Sequence, residues 1–158
     1  ICGLKTQYPN AEYSGIRGNI DTRLQKLYDG DYDAIMLACA ALERLSLVHD
    51  KRHRLRVFMR NQIVPAAGQG IIAIETRRGD APPIVREIHD ADTGICFALE
   101  REVLRRLNAG CNTPIGVNAA LTGGQLSVVA TRDHSRILHI TGDAADWQNL
   151  AERVVMQL

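Results

Sequence analysis

Three strand-like runs follow one another at residues 116–121, 125–131 and 137–141, and the turns between them leave few ways to fold. "TGGQ" makes the first hairpin turn and "RDHSR" the second. The clearest helical pattern comes just before them. In "TGICFALEREVLRRLNAG" the residues Ile95, Leu99, Val103 and Leu107 form one stripe, and Gly110 is expected to end the helix. A last helix is predicted from near Asp143, with Trp147, Leu150, Ala151, Val154, Val155 and Leu158 on its buried face. The second half therefore reads as a small α+β unit, a three-stranded antiparallel sheet flanked by helices.

The first half has a different rhythm. "AEYSGIRGNIDTRLQKLYDGDYDAIMLACAALERLSL" alternates strand, helix, strand, helix. The first strand ends near Arg17. Asn19 is a good N-cap, Ile20, Leu24, Leu27 and Tyr28 recur at helical spacing, and Gly30 stops the helix. Residues 34–38 read as a buried strand, and a second helix runs through Leu47. Such alternation belongs to an α/β domain with a parallel sheet. "VPAAGQGIIAIETRRGD" follows as a tight linker and a strand, "IIAIE". "DAPPIVREIHDAD" then opens a helix with proline in its first turn, where it is tolerated. The expected architecture is thus α/β plus α+β. Residues 1–64 form part of an α/β domain, residues 65–91 a crossover strand and linker helix, and residues 92–158 the α+β domain.

Composition narrows the function classes. With 158 residues, 46% hydrophobic and 23% charged, the chain reads as soluble and globular, and its longest apolar run, residues 34–42, is far too short to span a membrane. No basic segment and apolar stretch open it as a signal peptide does. Residue 1 is Ile, so a piece of a longer chain or a processed product is expected. A net charge of +1 argues against a general nucleic-acid binder. Residues 1–60 nevertheless hold ten Lys/Arg against seven Asp/Glu, with the surplus in "KRHRLRVFMR". That segment is a solvated surface stretch or a wall facing an anionic ligand.

The cysteines are Cys2, Cys39, Cys96 and Cys111. No two are close enough in sequence for a zinc knuckle or a redox pair, and no metal site is expected. Free thiols in a reducing, cytoplasmic compartment are expected instead. Cys39 and Cys96 lie in apolar runs and read as packed, and Cys2 is uninformative. Cys111, in "NAGCNTPIG", follows a helix C-terminus, whose dipole raises a thiol pKa if it acts at all. No histidine lies near it in sequence, so a protease-type nucleophile is a poor reading. The loop position leaves an attachment point or an inert loop cysteine. Arg17 and Arg23 flank a helix start in "RGNIDTR", and Arg44 opens "RLSL". All three are expected near one sheet end, where guanidinium forks and backbone N–H groups make a carboxylate or phosphate site. Ordinary surface arginines are the other possibility.

Three blocks together, "GIRGNIDTRLQKLYDGDYDAIMLACAALERLSL", "PAAGQGIIAIE" and "LEREVLRRLNAGCNTPIG", resemble the porphobilinogen deaminase (hydroxymethylbilane synthase) family in order and spacing. The likeness covers nearly the whole chain and weakens after about Leu121. The resemblance implies a transferase of porphyrin and heme biosynthesis. Such an enzyme condenses four porphobilinogen units head to tail on a cysteine-linked dipyrromethane primer, with loss of ammonia, and releases hydroxymethylbilane. It implies two α/β domains hinged like periplasmic binding proteins and a small α+β domain whose cysteine carries the primer. Cys111 matches that cysteine, so the resemblance makes dipyrromethane a covalent cofactor in thioether linkage to Cys111. Every pyrrole bears acetate and propionate, so cationic clamps are required. Arg17 and Arg23 match cofactor- and substrate-binding positions, Arg44 and Arg101 match further substrate-binding positions, and Gln69 with Gly70 matches the crossover between domains. The implied partner is porphobilinogen, with no nucleic acid or membrane, in an enzyme that is monomeric at full length.

Departures matter as well. The resemblance places the catalytic aspartate in an N-terminal domain preceding residue 1, so no catalytic residue is assigned within residues 1–158. "IIAIE" normally pairs in that domain, and its edge is expected here to be exposed, flexible or paired with another copy. A non-catalytic module of the same fold that holds a small anion is the alternative, and it gives Cys111 no role. On the enzyme reading residues 1–158 alone keep the primer site without completing catalysis. A steady-state porphobilinogen assay of this chain is expected to show no normal turnover, and normal turnover would refute the assignment.

Overall fold

A computed structural model describes residues 2–80, 82–110 and 113–158. Two compact units divide the chain, one made of Ile1–Asn10 with Met59–Leu158, the other of Ala11–Phe58.

The larger unit contains α1 (Cys2–Gln7), α4 (Pro83–Glu87), α5 (Ala91–Arg106), α6 (Trp147–Gln157) and the strands β1 (Gly116–Thr122), β2 (Gln125–Thr131) and β3 (Leu138–Asp143). The sheet is antiparallel in the order β1-β2-β3, as the hairpin pattern predicts. Thr122 pairs with Gln125 across Gly123 and Gly124, whose φ values are +57° and +78°. Both central positions need the left-handed region in this tight turn, and glycine enters it without strain. In register, Val117 faces Ala130 and Ala119 faces Val128, while Val128 faces Ile140 and Ala130 faces Leu138. These side chains form one sheet face and pack with Leu99 and Val103 of α5 and Leu150, Ala151 and Val154 of α6 into a single core.

Part of the other face is covered too, while His139 and Thr141 of β3 stay exposed on it. Arg60 donates from Nη1 to the Ser127 carbonyl (3.2 Å) and from Nη2 to Ser127 Oγ (3.0 Å). Val117 N donates to the Pro65 carbonyl (2.9 Å), and a Cβ added to Gly116 would lie 2.8 Å from the Val64 carbonyl oxygen. The segment around residues 60–65 is therefore seated directly on the sheet.

Helix boundaries follow local chemistry. Asp90 caps α5 by accepting from Thr93 N (2.7 Å), which holds its carboxyl below the usual range. Pro83 occupies the first turn of α4. One expectation needs correction, because α5 stops before Gly110. Leu107 is the cap and Asn108 takes φ +49°, so Asn108 N bonds to the Arg105 carbonyl and Ala109 N to the Leu104 carbonyl. Asparagine is the residue besides glycine that commonly makes this left-handed close. At the start of the last helix, Asp143 caps a short 3₁₀ turn, Ala144–Asp146, which leads into α6. Glu102 binds Arg105 and Arg106, and Arg106 reaches Glu152 of α6 (3.2 Å).

The smaller unit contains α2 (Ile20–Tyr28) and α3 (Cys39–Arg44), with Leu24 and Leu42 as its buried leucines. No strand occurs in it among the described residues, so the expected parallel sheet is absent there. Residues 34–38 carry no regular structure, and Met36 is half exposed. "IIAIE", in the larger unit, is likewise outside the sheet, with Ile72 at 82% exposure. The physical reason is common to both segments. A strand is defined by hydrogen bonds to a neighbour, and neither run has a ladder partner among the described residues. Cys39, expected to be buried, opens α3 and is exposed, whereas Cys96 is buried as expected. "KRHRLRVFMR" is mixed. Arg52 pairs with Asp50 (2.6 Å) and lies over the Tyr28 ring, while Arg60 is half-buried on the sheet.

Leu99 is completely buried at the centre of the core. Leu99→Ala is expected to lower the unfolding free energy by about 2–5 kcal/mol in urea denaturation. Met156→Ala, at a 73% exposed position, is expected to change it by less than about 0.5 kcal/mol.

Candidate functional site

In the smaller unit the sequence "RGNIDTR" folds around the start of α2. Asn19 Oδ1 accepts from both Thr22 N (2.8 Å) and Thr22 Oγ1 (2.7 Å). Gly18 has φ +121°, and a Cβ there would lie 2.8 Å from Thr22, so only glycine suits the approach. Arg23 is half-buried and folds back, donating Nε–H to the Gly18 carbonyl (2.8 Å). Lys26 Nζ reaches the Arg17 carbonyl (3.4 Å), and Tyr32 OH donates to the Gly15 carbonyl (3.1 Å). Arg17 itself is exposed. Residues 15–18 are thus pinned by three side chains from α2 and beyond, with cationic groups gathered at the helix start. Arg44 is exposed in the last turn of α3. The single sheet end expected to collect all three arginines does not exist among the described residues of this unit.

In the larger unit Gln69 is exposed in a double turn. Gln69 N bonds to the Ala66 carbonyl and Ile71 N to the Gly68 carbonyl, with φ +77° at Gly68 and +82° at Gly70. Arg101 is exposed on α5. Cys111 lies outside the described residues. On either side of it, Gly110 N donates to Thr113 Oγ1 (3.1 Å) and Thr113 N to the Gly110 carbonyl (3.0 Å).

The residue that sequence reasoning missed is Glu100, which is 1% exposed. Its Oε2 accepts from Gly68 N (2.7 Å), and its Oε1 accepts from Ala119 N (2.8 Å) and Asn118 Nδ2 (3.3 Å). A signal was present in the sequence. Cys96, Leu99, Glu100 and Val103 follow the helical i, i+3, i+4, i+7 pattern, which puts the glutamate on the apolar face. Burial pushes the Glu100 carboxyl above its ordinary range, and the three hydrogen bonds oppose that only in part. Burial, followed by the nearby Glu100 charge, also raises the Cys96 thiol. Both side chains line a cavity of about 250 Å³ with Gly70, Asp92, Thr93 and Leu121.

Among the described residues no group of three or more His, Cys, Asp or Glu side chains is placed to hold a metal ion. No helix among them is long and apolar enough to cross a membrane.

Comparison with known proteins now bears on this geometry. Residues 1–84 match the family described as "Porphobilinogen deaminase, dipyromethane cofactor binding domain", and residues 95–157 match "Porphobilinogen deaminase, C-terminal domain". The chain belongs to the porphobilinogen deaminase family. The first match contains Arg17, Arg23, Arg44 and Gln69, and the second contains Glu100, Arg101 and Cys111. A porphobilinogen deaminase of Streptococcus sanguinis is 35% identical, over 98% of this chain and 52% of that protein. One of Synechococcus elongatus is 38% identical, over 100% of this chain and 51% of that protein. One of Deinococcus deserti is 40% identical, over 90% and 48%. The chain spans about half the length of the curated relatives it matches.

The raised Glu100 carboxyl has a consequence for stability. The folded chain keeps this proton to higher pH than the unfolded chain does. The group's stabilising contribution is therefore full on the acid side and falls as pH rises from the ordinary value of 4.5 through the raised one. Glu100→Gln removes the titration, so its stability relative to the parent is expected to improve between that pH and neutrality, measured by urea denaturation. A difference that does not change with pH would contradict the assignment.

Proposed function

We propose that this chain is the cofactor-carrying part of a porphobilinogen deaminase (hydroxymethylbilane synthase), a cytoplasmic, monomeric transferase of tetrapyrrole and heme biosynthesis. Its substrate is porphobilinogen, and neither nucleic acid nor membrane takes part. The single observation that carries this reading is the pair of family matches, in order, over residues 1–84 and 95–157.

On this reading residues 1–64 are part of a hinged α/β domain of periplasmic-binding-protein type, residues 65–91 the crossover, and residues 92–158 the cofactor-bearing domain. That division rests on the family resemblance. Cys111 is the anchor, holding dipyrromethane through a thioether bond. When bound, the primer supplies the pyrrole terminus on which four porphobilinogen units are condensed with loss of ammonia.

The residues of this chain bind and orient. Arg17 and Arg23 take the carboxylates of the primer and of substrate, and Arg44, Arg101 and Gln69 contact substrate. The donor set suits those groups. Arg23 is fixed through Nε to the Gly18 carbonyl, which leaves Nη1 and Nη2 for a carboxylate. Such a fork is already ordered before the ligand arrives, so less side-chain entropy is lost on binding. No proton transfer is assigned to a residue of this chain.

The deciding measurement is the intact mass of the longest natural form of the protein beside its Cys111→Ser variant. The parent is expected to be heavier by one dipyrromethane and the variant to lack it. Equal masses, after allowing for the substitution, would remove Cys111 as the anchor.

A further inference from the structure

We infer that Glu100 is a positioning residue. It latches the 66–70 turn onto α5 and β1 and so sets where Gln69 is presented. This inference rests on the substrate-binding role proposed for Gln69.

The geometry is specific. Glu100 projects from the middle of α5, and its two carboxylate oxygens are divided between two targets. Oε2 takes the Gly68 amide at 2.7 Å, while Oε1 takes the Ala119 amide at 2.8 Å and the Asn118 side chain at 3.3 Å. Gly68 is the residue immediately before Gln69, inside the turn closed by Gln69 N on the Ala66 carbonyl. The ring of Phe97, also on α5, stands 3.2 Å from where a Gly68 Cβ would be. The turn is thus held from below by an acceptor and a ring of one helix, and Gln69 stays exposed at its tip. An ionised carboxylate is the only side chain of this size with acceptors on both oxygens. A purely structural acid could be replaced by an apolar group in a core, whereas a latch needs both oxygens.

Glu100→Gln tests the assignment in the 158-residue chain. The amide of the glutamine can serve one target only. Its oxygen goes to Ala119 and Asn118, which together offer two donors, and its NH2 group then faces the Gly68 N–H. Hydrogen exchange followed residue by residue should show Gly68 about tenfold to a hundredfold faster, with Ala119 unchanged. Equal acceleration at both sites, or none at Gly68, would overturn the latch. Should the variant not fold, the parent decides: the Gly68 amide proton resonance must titrate together with the Glu100 carboxyl, and an amide that ignores that titration rules the contact out.

Porphobilinogen binding, measured in the longest natural form of the protein and its variants, separates the latch from the function proposed for the chain. A parent that binds porphobilinogen, with Glu100→Gln and Gln69→Ala weakened to the same extent and no further loss in the double variant, supports the positioning role. Unchanged binding by Glu100→Gln, with Gly68 released, overturns it. A parent that does not bind porphobilinogen sinks the substrate-binding role of Gln69, and with it the positioning role, while the exchange result still decides the latch itself.

Discussion

A carboxylate shut away from water must find its donors in the protein, and the larger unit is arranged so that Glu100 does. Glu100 itself sits in the middle of α5, and its partners come from a turn at residue 68 and from β1 at residues 118 and 119. These segments are distant in sequence, so the charge is satisfied only when all of them have arrived. Leaving out any one strands a buried acceptor, which is among the costlier errors a core can make. The same approach brings in residues 60–65, with Arg60 and Val64 against the second face of the sheet and the Pro65 carbonyl accepting from Val117 N at the β1 edge. The β1 and β2 part of that second face is therefore covered, while His139 and Thr141 of β3 stay exposed on it.

The smaller unit depends on local bonds instead. Arg23, Lys26 and Tyr32 all spend a donor on the backbone of residues 15–18. That arrangement costs the arginine part of its hydrogen-bonding capacity, but it fixes the direction of the remainder. For carboxylate ligands in general, a fixed guanidinium fork discriminates better than a mobile lysine. The overall charge of +1 fits this economy. Arg23 and Lys26 are placed at particular backbone sites, while Arg17 and Arg44 are exposed.

What could be read in the sequence divides along the same line between local and non-local physics. The Asn19 cap, the proline-led α4, the apolar stripe of α5 and the hairpin at Gly123–Gly124 depend on residues close in the chain, and each is where the pattern puts it. The strands expected at residues 34–38 and at "IIAIE" are not formed, because alternation and apolarity report a preference for pairing and cannot supply the partner. Cys39 shows the same limit, since an apolar neighbourhood in sequence did not become a packed one in space. Glu100 was missed for the opposite reason. Its position on the apolar stripe was visible, but an acidic side chain looks like surface, and only the convergence of Gly68, Asn118 and Ala119 shows what holds an acid there.

That convergence also bears on Cys111, the cysteine that the family resemblance makes an anchor. A catalytic thiol needs a stabilised thiolate, and its usual sources are a helix N-terminus, a neighbouring cation or a histidine. Cys111 comes five residues after the last residue of α5, beyond the end of the helix whose dipole disfavours an anion, and no histidine is near it in sequence. A thioether sulfur is uncharged, so an anchor has no need of those sources once the bond has formed. What an anchor needs is a fixed root. Asn108 closes α5 through two backbone bonds, and Gly110 and Thr113 exchange two more on either side of the cysteine. The helix that ends there is the one held to the sheet and to the 66–70 turn through Glu100. A group attached just beyond it starts from an element tied both to the sheet and to the 66–70 turn.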